Sequence, residues 1–190
     1  SVTLTVSRGE VRSTIRSLAG RRWGVAPGMP LAVRDLDRDG TREVLVDLTT
    51  GGVRCCQRTV IAGASDGDEG ERLTVHDWGA AGYRLTDLNR DGRPEFVSAD
   101  VRLAGLPGVG ARAQRFPVRI WSYRAGGMRD VTRAHRREIR RDMLGHLAEI
   151  GTLERRGANP RGAIAAYLAD ARLLGSGAGA WARMRARDDA

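Results

Sequence analysis

The chain contains no lysine, and all 32 of its basic residues are arginine. We read that bias as GC-rich coding rather than function. Cysteine is nearly absent too: the only two are adjacent, at Cys55 and Cys56. Neighbouring side chains on a strand point to opposite faces, so a bridge between them needs a bent backbone. The favoured reading is one thiol buried as a small hydrophobe and one partly exposed. The alternative is a strained vicinal disulfide in an oxidising compartment. Adjacent thiols with three histidines give no recognisable zinc spacing. No run approaches the roughly 18 apolar residues that a membrane span needs. The glycine-rich stretch from Gly105 to Gly110 is not followed by Gly-Lys-Ser/Thr, so it reads as an exposed loop rather than a phosphate cradle. The chain also lacks a nucleophile elbow, a His-Glu-x-x-His helix, a zinc finger and an RNP aromatic pattern.

What the sequence does contain is a repeated acidic stretch. D-L-D-R-D-G-T-R-E runs from Asp35 to Glu43, and D-L-N-R-D-G-R-P-E runs from Asp87 to Glu95, 52 residues later. Oxygen-bearing side chains fall at alternate positions, a glycine follows the third, and a glutamate closes each stretch. Calcium is a hard cation that takes six to eight oxygens, and a tight loop of this pattern turns alternate side chains inward. The first candidate ligand set is Asp35, Asp37, Asp39, the Thr41 carbonyl and Glu43. The second is Asp87, Asn89, Asp91, the Arg93 carbonyl and Glu95. Two calcium ions are the expected cofactors. An EF-hand would place a bidentate glutamate at position 12, where this chain has Val46 and Ser98. Leu31, Val33, Val44 and Val46 surround the first loop, and Tyr83, Leu85, Phe96 and Val97 the second. These are strand residues, so each loop is expected to join two strands.

On this motif, the stretch from Pro30 to Asp100 resembles the FG-GAP/VCBS repeats, the calcium-loop repeats of integrin α-chain propellers and of many secreted bacterial proteins. The resemblance implies β-propeller blades and a role in binding rather than catalysis. A closed propeller usually needs at least four blades; the chain has two recognisable loops, and its 190 residues exclude a complete seven-bladed ring. A partial propeller, or a small sheet assembly built from the same hairpins, is the expectation.

The resulting fold class is α+β. Residues 1–130 are expected to be mostly antiparallel strand, with calcium loops within about 30–50 and 82–100. Strand candidates are Val2 to Val6, Val11 to Ile15, Arg54 to Ala62, Arg72 to Trp78 and Phe116 to Tyr123, with a break from Gly63 to Gly70. Residues 131–190 read as helical. Ile139, Met143, Leu147, Ile150 and Leu153 recur at helical spacing, as do Ile164, Tyr167, Leu168 and Ala171. Pro160 suits a first helical position, and Trp181 with Met184 could start a third helix. The helices are expected to pair and to pack on the β part.

Function is then expected to be binding. Ser1 in place of a methionine fits signal-peptide removal or trimming of the chain, and the calcium loops favour the first, placing the protein outside the cell or at its surface. The net charge of +9 would reach +13 with two calcium ions. Arg133, Arg136, Arg137, Arg140 and Arg141 form a basic cluster that could engage an acidic polysaccharide or a protein partner. The alternatives are an extracellular hydrolase-like enzyme using His76 with a cysteine (Cys55 or Cys56) or an aspartate, and an arginine-rich nucleic-acid binder, for which no motif is present.

Overall fold

Hydrophobic alternation drives the β region. The computed structural model describes residues 3–8, 11–16, 23–26, 31–52, 55–64 and 71–188. Val2, Arg54 and most of the expected break at Gly63 to Gly70 therefore lie outside the described residues, as does the side chain of Cys55. Strands β1 (Thr3–Arg8) and β2 (Val11–Arg16) form an antiparallel pair. Five further strands follow: β3 (Gly24–Val25), β4 (Leu31–Arg34), β5 (Glu43–Gly52), β6 (Cys55–Ala64) and β7 (Glu71–Gly79). They form one antiparallel sheet in the order β3-β5-β6-β7, with β4 also pairing β5. A second sheet has the order β11-β10-β9-β8, from β8 (Arg84–Thr86), β9 (Glu95–Ala99), β10 (Val118–Arg124) and β11 (Gly127–Asp130).

Contacts divide the chain into two units. The first comprises Ser1–Phe96 and Trp121–Arg129, the second Val97–Ile120 and Asp130–Ala190. In the first, alternate residues of β5 and β6 feed two clusters. Leu45 opposite Ile61 joins Leu36, Trp78, Phe96 and Tyr123, all buried. Val46 opposite Val60 joins Trp23 and Leu48. Period-two patterning that is apolar on both faces gives a sheet covered on both sides at its centre, and each fully buried large side chain contributes roughly 1.5–3 kcal/mol. One polar chain crosses this core. Trp78 Nε1–H donates to Thr59 Oγ1 (2.8 Å), which donates to Asp47 (2.5 Å), and the Tyr83 hydroxyl donates to the same carboxylate (3.1 Å). Burial raises the pKa of Asp47, against these stabilising hydrogen bonds.

The second unit is built on α1 (Arg136–Arg155), α2 (Arg161–Leu173) and α3 (Gly177–Asp188). The apolar stripe of α1 buries Ile139 and Ile150, and Ile150 joins a cluster with Ala163, Tyr167, Ala171, Ala180 and Met184. Small alanines on α2 and α3 let the helix axes approach. Both α1 and α2 end in Schellman motifs. Ala158 N–H donates to Leu153 O and Gly157 N–H to Glu154 O; Ser176 N–H donates to Ala171 O and Gly175 N–H to Arg172 O. The expected hairpin of helices is thus present.

Within this unit, the segment between β9 and β10 is fastened to the helices. Arg115 pairs with Glu149 on α1 (2.6 Å), and Asn159 donates to Gly108 O (2.9 Å). At Gly162 the backbone of this segment comes so close that an added Cβ would sit 1.9 Å from Ala113 O. The α+β class is therefore observed. The described strands form sheets of five, four and two members, and no propeller is seen among the described residues.

Gly162→Ala is expected to destabilise the protein by about 2–3 kcal/mol, because backbone must move to admit the methyl. Gly145→Ala, mid-α1 with nothing within 4 Å of its added Cβ, should instead stabilise by about 0.5–1 kcal/mol. Urea unfolding of both variants checks the pair. Equal effects would contradict the close approach at Gly162.

Candidate metal centre

Both acidic stretches fold as the same loop. The first connects β4 to β5 and the second connects β8 to β9, so each joins neighbouring strands. Their backbones match in detail. The fourth residue is left-handed in each, Arg38 at φ 59° and Arg90 at φ 62°, and so is the sixth, Gly40 at 88° and Gly92 at 82°. Glycine adopts that region without strain, whereas arginine does so at a cost that the loop's hydrogen bonds must offset.

The hydrogen bonds repeat as well. The first aspartate accepts from the glycine N–H, Asp35 from Gly40 (3.1 Å) and Asp87 from Gly92 (2.9 Å). The third acid accepts two residues on, Asp39 from Thr41 N–H (2.6 Å) and Asp91 from Arg93 N–H (2.8 Å). The closing glutamate reaches back to the second residue, Glu43 to Leu36 N–H (2.8 Å) and Glu95 to Leu88 N–H (2.9 Å). Backbone donors thus hold the carboxylates in place, and each bonded oxygen keeps a second lone pair for a cation.

In the first loop the acids converge. Asp35, Asp37 and Asp39 offer oxygens that all lie within 4.8 Å of one another. Asp37 Oδ1 is buried without a hydrogen-bond partner, while its other oxygen accepts from Ala125 N–H (3.1 Å). Glu43 is 2% exposed. Burial, opposed by the Leu36 N–H and reinforced by the charges of Asp37 and Asp39, pushes its pKa up to about 7. Tyr123 rises to about 12 through burial and then the charges of Glu43 and Asp37. An added Cβ at Gly63 would lie 2.8 Å from Tyr123 Oη and 3.3 Å from Glu43 Cγ, so that position leaves room for both. The second loop is better balanced. Asn89 Nδ2–H donates to Asp91 (3.1 Å). The Asp91 pKa is lowered, first by the Arg93 N–H and then by Asn89 and the charges of Arg93 and Arg124, against slight desolvation.

Two arginines tie the loops together, and sequence reasoning missed both roles. Arg38 Nη1–H donates to Asp91 O (2.6 Å), and Arg93 Nε–H donates to Asp37 O (2.9 Å). Arg38 stands between two of the inward-turned ligand positions, and its side chain reaches the neighbouring loop. The spacing rule assigns in or out within one loop and is blind to a second loop beside it. The β10–β11 hairpin belongs to the same assembly. Its two turn residues, Ala125 and Gly126, both have positive φ, as a primed hairpin turn requires. Arg72 donates to Ala125 O (2.8 Å) and Thr74 to Gly126 O (2.6 Å).

The other candidates are dispersed. His76 lies against Trp78 and Trp121, with ring centroids 4.2 and 4.4 Å away. Asp77 pairs with Arg58 (2.9 Å). Cys56 is disulfide-bonded, which corrects the reading of a thiol at that position. Arg133, Arg136, Arg137, Arg140 and Arg141 are all exposed; Arg141 pairs with Glu138 and Arg136 donates to Leu174 O.

The architecture defines an α+β protein with paired acidic loops in one unit and a helical C-terminal region in the other. A family model described as the sll0997 C-terminal domain matches residues 139–190, which is most of the three helices. No curated protein and no solved structure matches the chain. The matched family differs from the FG-GAP/VCBS repeats, and that resemblance is withdrawn. A nine-residue ligand spacing dictates local loop chemistry and is too short to specify the fold around it.

Arg38→Ala should lower stability by about 1 kcal/mol through loss of the inter-loop hydrogen bond, and Arg90→Ala, at the same φ, should leave it nearly unchanged. Chemical denaturation distinguishes them, and identical losses would remove the bridging role. The raised Glu43 pKa also fixes a pH dependence. A folded-state pKa above the unfolded one favours the protonated form, so this contribution is complete below pH ~4.5 and is lost as pH rises through ~7. The calcium-free protein should lose up to about 3 kcal/mol over that window, and Glu43→Gln should flatten the profile. An unchanged pH profile in the variant would contradict the assignment.

Proposed function

We propose that the chain is a calcium-binding, non-catalytic binding or structural module that works outside the cell or at its surface. Two strand–loop–strand hairpins would each hold one ion. The observation that carries this reading is the convergence of Asp35, Asp37 and Asp39 around a buried, partnerless Asp37 oxygen, with Glu43 behind them. Such a cluster needs positive charge, and its all-oxygen donor set suits a hard cation. Repetition of the same loop in the second copy supports a second site. There an asparagine replaces one carboxylate, so the lower ligand charge should make that site the weaker.

Extracellular modules hold calcium at ~10⁻⁴ to 10⁻³ M. At ~1 mM calcium, a ~10⁻⁴ M site stabilises the fold by about 1.4 kcal/mol, and two by roughly 3. Calcium would then be a structural ion that locks the loops and the strands they join. The exposed arginines from Arg133 to Arg141 supply the surface for an acidic polysaccharide or a protein partner. Among the described residues, no helix is long and apolar enough to cross a membrane.

Thermal melts of chelator-treated protein test the reading. Restoring calcium should raise Tm by about 5–10 °C, and magnesium by much less. Asp39→Ala and Asp91→Ala should each remove part of the gain, the former more. No shift with millimolar calcium, or equal shifts with calcium and magnesium, would overturn it.

A further inference from the structure

We propose that Asp142, His146 and Asp170 form a second kind of metal site, one for a divalent transition-metal cation of the zinc class. The site lies wholly within the helical unit and is independent of the acidic loops. Asp142 and His146 are four residues apart on α1, which puts them on one face, and Asp170 lies in the last turn of α2. One donor atom from each lies within 4.8 Å of the other two. His146 Nε2 is 3.3 Å from Asp142 Oδ2 and 3.9 Å from Asp170 Oδ2. A cation with bonds of about 2.0–2.1 Å to nitrogen and oxygen places tetrahedral neighbours about 3.3 Å apart, so small side-chain adjustments close the set.

The polar groups themselves point to a ligand. Asp170 is 0% exposed, no donor meets its carboxylate in good hydrogen-bonding geometry, and its nearest polar neighbours are Asp142 and His146. His146 is 9% exposed, and its Nε2, which faces both carboxylates, likewise has no partner in good geometry. A buried carboxylate without a donor costs several kcal/mol unless something compensates it. A divalent cation compensates two carboxylates at once and gives a site of zero net charge. The mixed nitrogen and oxygen donors select against calcium and magnesium, which prefer oxygen alone, and favour the zinc-to-manganese class. Val118 N–H donates to Asp142 Oδ2 (2.7 Å), orienting that ligand from β10. The Asp142 side chain is 35% exposed, which gives the ion a route in and leaves a coordination position for water. Three protein ligands and one open position are the arrangement of zinc sites that act on small ligands.

The test uses the full chain, stripped with chelator and held in millimolar calcium so that the acidic loops are filled. Zn²⁺ is then titrated in competition with a chromophoric chelator. One equivalent should bind, His146→Gln and Asp170→Asn should each weaken it at least about tenfold, and His135→Gln should leave it unchanged. In the wild-type protein, the ring ¹⁵N resonances of one histidine should shift with the first equivalent. Should the substituted proteins fail to fold, that shift decides the matter on unaltered protein. Absence of tight zinc, unaltered binding in both substituted proteins, or histidine resonances unmoved by the first equivalent would each overturn the site. The triad would then be a buried hydrogen-bonding cluster that shares a proton.

Discussion

Like charges held at contact distance are the constraint on which the first unit depends. Three aspartates with oxygens within 4.8 Å, and a glutamate buried behind them, occupy the turn between β4 and β5. At about 4 Å, one pair of unit charges interacts by about 1 kcal/mol in water and about 4 kcal/mol near a protein surface. Three such pairs, screened by water at this partly exposed turn, still weigh against a total stability of about 5–15 kcal/mol. The turn can persist only if positive charge or hydrogen-bond donors face the cluster.

The neighbouring structure can be read as that compensation. Backbone amides of Leu36, Arg38, Gly40 and Thr41 each donate to a carboxylate of the first loop. Ala125 N–H, from the turn of a hairpin distant in sequence, donates to Asp37. Arg38 and Arg93 then cross-link the two loops through backbone carbonyls. These contacts shape the site and leave Asp37 Oδ1 without a partner. Protonation of Glu43 relieves part of the repulsion, and a bound cation would relieve it more fully. The two loops also differ for a reason visible in one residue. Asn89, where the first loop has Asp37, donates to Asp91 and lowers the charge to be balanced.

Local chemistry was legible in the sequence and long-range assembly was not. Alternating apolar residues marked the strands that flank both loops, and the stripe from Ile139 to Leu153 marked α1. The glycine and proline near 157–160 marked the break after it. Those signals are local, because side-chain period and turn chemistry are set by neighbours in the chain. The wider fold was read from a nine-residue motif, and the propeller family it suggested does not match this chain. Pairing of the loops escaped because Arg38 contacts a carbonyl 53 residues away. The Asp142–His146–Asp170 cluster escaped for the same reason: Asp170 joins an i,i+4 pair only after α2 folds back on α1. Gly162 gave no signal either, since a helical glycine reveals nothing about the backbone that will lie against it. At Cys56, periodicity argued for a thiol and the structure places a disulfide.

Isothermal titration of calcium-free protein with calcium tests the central claim most directly, because it counts ions rather than inferring them from stability. The account predicts two calcium ions per chain, with the tighter site lost in Asp37→Ala and the weaker retained. A titration showing no calcium uptake at millimolar concentration would contradict it, and the loops would then be turns held by amide donors and arginine alone.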